Sequence, residues 1–212
     1  MKRIDTDGIL NLCLTPGSSE WYWGADYASG DLYEAEELFR SGYPIRKNRV
    51  LLVHYPEGVV YEPVQTEAGQ YLGRPVCHDG RLILLLVDFP KEEIHILAFD
   101  AQTEQISTMA VLPLSVAEDC YNLMLQVSPL MLTRAAHDNK FQILWPERRD
   151  FAMEDHESFE FLEGNKLYTS TWYEDPDYRD EIVVRDFDTG EVLERLPGVV
   201  WTMPDGQNWL LV

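Results

Sequence analysis

The stretch IVVRDFDTGEVLERLPG, residues 182 to 198, opens on a run of β-branched residues, breaks at Asp188-Thr189-Gly190 and resumes with a second short apolar run. It reads as a β-hairpin, because Asp and Gly supply the turn conformations that the flanking Val and Ile residues avoid. Whether this hairpin stands alone decides the fold. A hairpin that recurs at a fixed spacing makes the chain a repeat protein.

It does recur. IHILAFDAQTEQISTMAVLP, residues 94 to 113, has the same layout, an apolar strand ending in Phe99-Asp100, a polar turn and a second strand finishing near a proline. Phe99 and Phe187 lie 88 positions apart, two steps of 44; one step after Phe99 falls in FQILWPE, and one step before it on Tyr55 in RVLLVHYPEGVVYEP. The turns ahead of the strands also rhyme, as His78-Asp79-Gly80, His137-Asp138-Asn139, Glu163-Gly164-Asn165 and Pro204-Asp205-Gly206. A period near 44 with about four strands per unit is the signature of a β-propeller.

On these residues, the segment 182 to 198 resembles the outer strands of a blade of the WD40-type or quinoprotein-like β-propeller superfamily. Ile182 to Asp186 stands where that pattern has hydrophobic residues followed by Trp-Asp, and Thr189-Gly190 matches its turn. Arg185 holds the Trp position, and no Gly-His pair precedes the segment. The resemblance implies a fold and no activity.

The rest of the chain fits an all-β class. Apolar runs at 81 to 89, 94 to 99, 122 to 132, 141 to 145 and 167 to 173 have strand length, and several are apolar on both alternating faces, as in sheets covered on both sides. DLYEAEELFR, residues 31 to 40, reads as either a helix or a strand: Leu32, Ala35, Leu38 and Phe39 share one helical face, and Asp31 with Glu34 has capping-box spacing. The chain finishes on VVWTMPDGQNWLLV, two strands of a unit without its outer pair, and begins with ILNLCLT and WYWGADY. The expectation is therefore a single domain over residues 1 to 212, a five-bladed ring closed by pairing of N- and C-terminal strands, with Trp209, Leu210, Leu211 and Val212 packed in an interface. The alternative is a four-bladed ring with residues 1 to 45 as a cap.

Charge narrows the partners. With 37 acidic against 17 basic residues, the formal charge of -20 opposes approach to nucleic acid or an anionic membrane, and neither is expected as a partner. The longest clean apolar run, Leu82 to Val87, is too short to span a bilayer, and Asp5 and Asp7 interrupt what could otherwise be a signal peptide. Cys13, Cys77 and Cys120 are odd in number and widely spaced, which reads as buried free thiols in the cytoplasm.

Chemical motifs are sparse. There is no phosphate loop, GxSxG, HExxH, CxxC or EF-hand loop, so no cofactor and no metal is expected and no catalytic residue is assigned. His78-Asp79 and His137-Asp138 suggest base-and-orienter dyads, but adjacent side chains in extended chain point apart, and turn chemistry explains them better. Glu174, Asp175, Asp177, Asp180 and Glu181 read as a solvated acidic loop in preference to a Ca²⁺ site. Asp205-Gly206 with Trp209 lacks the spacing and the Ser of a sialidase-type Asp-box. Aromatic density singles out Trp21, Tyr22 and Trp23, with Tyr27 and Tyr33 nearby, and Trp172 and Tyr173, as candidate binding residues. Alternation turns Trp21 and Trp23 inward and leaves Tyr22 outward. The expected function is a non-catalytic binding or scaffold protein taking a protein or small-molecule partner. The alternative is a glycan-active hydrolase or lectin, for which Asp26, Asp88 and Glu174 would be the carboxylates.

Overall fold

In the computed structural model, which describes residues 1–26, 31–117, 120–136, 138–203 and 206–212, the chain divides into two compact units, Met1–Val127 and Ser128–Val212. Both are built from antiparallel strands.

The first unit opens with β1 (Cys13–Leu14), β2 (Trp21–Ala25), α1 (Leu32–Arg40), β3 (Val50–His54) and β4 (Val59–Tyr61). The strands form one sheet in the order β1-β2-β3-β4. Gly24 sits in β2 because the N-terminal segment crosses it closely: a Cβ there would stand 2.6 Å from the Asn11 carbonyl oxygen and 2.8 Å from Ile9. The helical reading of 31 to 40 holds. Asp31 accepts from the Glu34 amide at 2.9 Å while its own amide donates to the Glu34 carboxylate at 3.3 Å, a complete capping box. Leu32 and Ala35 are buried and Phe39 stacks on Phe89, whereas Leu38 faces solvent.

A second sheet follows, from β5 (Gln70–Leu72), β6 (Val76–His78), β7 (Arg81–Asp88), β8 (Glu93–Asp100) and β9 (Gln105–Pro113), and a 3-10 turn (Leu114–Ala117) leads to β10 (Asn122–Gln126). Strands β7 and β8 are buried on both faces, as their uninterrupted apolar sequences require, and β9 at the edge is largely exposed. Trp23, Leu52, Leu72, Leu82, Leu84 and Phe99 meet in one core cluster that joins the two sheets of this unit.

The second unit holds β11 (Met131–Ala135), β12 (Lys140–Trp145), β13 (Arg149–Ala152), β14 (Ser158–Glu163), β15 (Lys166–Tyr173), β16 (Arg179–Asp186), β17 (Val192–Pro197), β18 (Val199–Thr202) and β19 (Asn208–Leu211). Residues 122 to 132, one run in the sequence, are two strands separated by a turn. Pro129 lies in that turn and brings no amide to a ladder.

The repeat is real, with its alignment shifted. The strands leading into the outer hairpins, β3, β8, β12 and β16, start at residues 50, 93, 140 and 179, steps of 43, 47 and 39. The turns after β8 and β16 share one device: Asp100 accepts from the Gln102 and Thr103 amides, and Asp186 from the Asp188 and Thr189 amides. These equivalent aspartates lie 86 positions apart, so the phenylalanines that rhyme at 88 are not structurally matched. The turns upstream of the strands also share a backbone state. Asp79, Gly80, Asn139, Gly164 and Gly206 all have positive φ, the conformation that Asp, Asn and Gly tolerate best. His137, Pro204 and Asp205 lie outside the described residues.

Two expectations fail. Trp209, Leu210, Leu211 and Val212 do not form a packed interface: they are 50, 41, 44 and 95% exposed. Among the described residues, β18 and β19 form a two-stranded sheet of their own, because no neighbouring strand supplies a ladder to β19. Cys13 is exposed on its short edge strand, while Cys77 and Cys120 are buried; all three are free thiols.

Candidate functional site

In the first unit, a cavity of about 320 Å³ opens where the ends of β2, β5 and β10 meet the start of α1. Trp23 and Tyr71 form its floor, and Asp31, Asn48, Arg74 and Asn122 bring polar groups to its wall. Trp23 is there because β2 alternates, and Trp23 points into the cluster shared with β3, β7 and β8. Asn48 is 2% exposed and acts as a brace, its oxygen accepting from the Leu72 amide at 2.6 Å and its nitrogen donating to Asp26 at 3.3 Å. Asp31 is committed to capping α1. Arg74 is exposed and supplies the cation of the cavity wall.

A second cavity, about 450 Å³, lies between α1 and the residues after β7 and β9. Leu32, Phe39, Phe89 and Leu114 line it together with Glu36, Arg40, Glu92 and Ser115, and Glu36 and Arg40 pair with each other.

The aromatic residues singled out by the sequence separate. Trp23 lines the Arg74 cavity. Trp21 packs against the core cluster, its ring 4.6 Å from His54 and 5.8 Å from Tyr61. Tyr22 is half-buried, and Tyr27 lies outside the described residues. In the second unit, Trp172 packs against His156 in a tilted arrangement with ring centroids 4.0 Å apart. Tyr173 is held between two arginines: Arg179 lies over its ring at 4.2 Å, and Arg195 donates to its hydroxyl at 3.0 Å.

The carboxylates have structural duties. Asp26 accepts from Asn48 and from the Arg49 amide at 3.2 Å. Asp88 is 2% exposed and accepts from Gln70 at 2.7 Å and from the Lys91 ammonium at 2.8 Å. Burial pushes its carboxyl up, and the bonds from Lys91 and Gln70 outweigh this, leaving it below the ordinary aspartate range. In the acidic loop, Asp180 accepts from the Tyr178 hydroxyl, Glu181 from Arg179, and the Asp175 carbonyl from Arg179 as well. Among the described residues, no group of three or more His, Cys, Asp or Glu side chains could hold a metal ion. His78 is turned by its Nδ1 contact with the Val127 carbonyl at 2.8 Å, while its Nε2 lies 3.4 Å from Asp79.

Asn48, Tyr71, Arg74 and Asn122 escaped the sequence reading. They stand far apart in the chain and share no motif; only the buried run beside them, and a lone arginine after Gly73, could have marked the place.

No protein-family model matches the chain, and no curated protein matches it. Among solved structures, it is similar to an oligogalacturonate lyase in complex with manganese, at 11% identity over 76% of this chain and 44% of that one, with a TM-score of 0.47. It is also similar to a chain of the mitotic checkpoint complex, at 12% identity over 73% of this chain and 62% of that one, with a TM-score of 0.41. The chain thus spans less than two thirds of the length of either. No helix among the described residues is long and apolar enough to cross a membrane.

Proposed function

We propose that the protein is a non-catalytic binding module on a β-propeller-like scaffold, and that it takes a small polar ligand, or a polar side chain of a protein partner, at the Arg74 cavity. The observation that carries this reading is the placement of Arg74 and Asn122 beside Trp23 and Tyr71 in the lining of one cavity. An apolar base with a few directed polar groups is the usual composition of a ligand site. The three free thiols favour a reducing compartment such as the cytoplasm. In this reading the larger meanders are blades of a single domain, and the β18–β19 hairpin contributes two strands of a further blade.

A glycan-active hydrolase would need two carboxylates about 5 to 9.5 Å apart flanking the scissile bond. Asp26 and Asp88 are instead tied to backbone and side-chain donors that hold the sheet ends together. The test is a thermal-shift screen of glycans, small carboxylates and short peptides, with ligand integrity followed by mass spectrometry. Compounds that raise the melting temperature are expected to lose that effect in Arg74→Ala and in Asn122→Ala and to be recovered unchanged. A hit that is consumed, or hits indifferent to both substitutions, would contradict the reading.

A further inference from the structure

The β18–β19 hairpin of the second unit is apolar and largely exposed. Trp201 and Trp209 face each other across it and are 62 and 50% exposed; Leu210 and Leu211 are 41 and 44% exposed. On the β18 side, the Gly198 amide donates to the Asp180 carbonyl at 2.9 Å, tying the hairpin to the start of β16. On the other side, β19 has no ladder partner among the described residues. A two-stranded ribbon is marginal in water, and an apolar strand with a free edge is a template for another strand.

We propose that this edge is an interface between two copies of the chain, with β19 of one copy pairing antiparallel with β19 of the other. Charge argues for that occupant. The chain carries a formal charge of -20, whereas residues 198 to 212 include one charged side chain, Asp205, and strands β18 and β19 include none. Two bodies of like charge meet with least repulsion where both are uncharged, and a strongly charged partner would find no ion pair there. Antiparallel pairing about a twofold axis is also self-complementary: each β19 offers the same row of amides and carbonyls and the same leucines to its copy. The product is a four-stranded sheet, β18-β19-β19-β18, the strand count of a complete blade. The proposal goes beyond the Arg74 cavity and stands whether or not that cavity binds anything.

The test is sedimentation velocity of the full chain from about 1 to about 100 µM, with hydrogen exchange of β19 at both ends of the range. Twice the monomer mass is expected at the upper end, together with protection of the β19 amides that is absent at the lower end. Leu210→Lys and Leu211→Lys place a charge on an exposed edge and are expected to weaken association at least tenfold with unchanged far-ultraviolet circular dichroism. Val111→Lys, at an exposed position of β9, is expected to leave association intact. Raising the salt should strengthen the dimer, because screening shortens from about 30 Å at 0.01 M to about 3 Å at 1 M. A monomer at all concentrations, a polydisperse aggregate, or a dimer with unprotected β19 amides would each overturn the proposal. If the lysine variants lose structure, the concentration dependence of exchange in the unmodified chain decides.

Discussion

Arg185, in β16, is held by charge-assisted hydrogen bonds. Its guanidinium bonds Glu157 twice, at 2.8 and 2.7 Å, and also donates to the Gly190 carbonyl at 2.9 Å, closing the β16–β17 turn. The Glu157 side chain is fully buried and Arg185 nearly so. Burial alone raises the Glu157 carboxyl; Arg185, the Glu154 amide and the Thr169 hydroxyl overcome that and hold it below the ordinary glutamate range. Removing one partner strands a buried charge, so Arg185→Leu is expected to cost about 3 to 5 kcal/mol in urea unfolding. An effect under about 1 kcal/mol, the size of an exposed pair, would contradict the burial described. A lowered folded-state value stabilises above the ordinary carboxylate range and ceases to as pH falls through it. The denaturation midpoint of the unmodified chain should therefore drop on acidification, and a Glu157→Gln variant should show a shallower drop. At this scale the sequence was legible where chemistry is local, as at Asp31 with Glu34 or Asp79 with Gly80. It was not at Arg185, whose partner lies 28 residues away in sequence.

The hairpins themselves were read correctly, and so was the turn chemistry that repeats them. Asp100 and Asp186 each accept two turn amides, which holds both carboxyls below the ordinary aspartate range. Nuclear magnetic resonance titration should find both values low, and Asp100→Ala and Asp186→Ala should lower the unfolding midpoint by similar amounts. Ordinary values at either position would mean that the two turns are not one device. The helix was legible through its cap, and Asp31→Ala is expected to cost about 1 kcal/mol. The register was not, because phenylalanine recurs at 88 positions while the turn aspartates recur at 86. Apolar composition also misled at the tail. Leucine and tryptophan in β19 look like core residues in sequence, yet their exposure depends on which strand lies beside them, and that pairing is non-local. A chain lacking residues 208 to 212 is accordingly expected to remain soluble and cooperative, with a melting temperature lower by about 5 °C or less. Loss of folding on that truncation would mean that β19 is packed after all.

Across the whole molecule one structural unit recurs, at β8–β9 and at β16–β17: a buried strand pair, a side-chain-capped turn and an exposed outer strand. The unit explains why β7, β8 and β16 are buried on both faces while β9 and β17 are not. It also explains why the Arg74 cavity forms at strand ends, where side chains distant in sequence are brought together without a motif to announce them. Hydrogen exchange resolved to single amides tests this most directly, because protection follows burial and ladder position strand by strand. The slowest amides are expected in β7, β8, β15 and β16, with the turns at 101 to 104 and 187 to 191 exchanging fast and β9 and β17 in between. Uniformly fast exchange in β15 and β16, or slow exchange through either turn, would contradict the repeated hairpin on which the fold and the site are built.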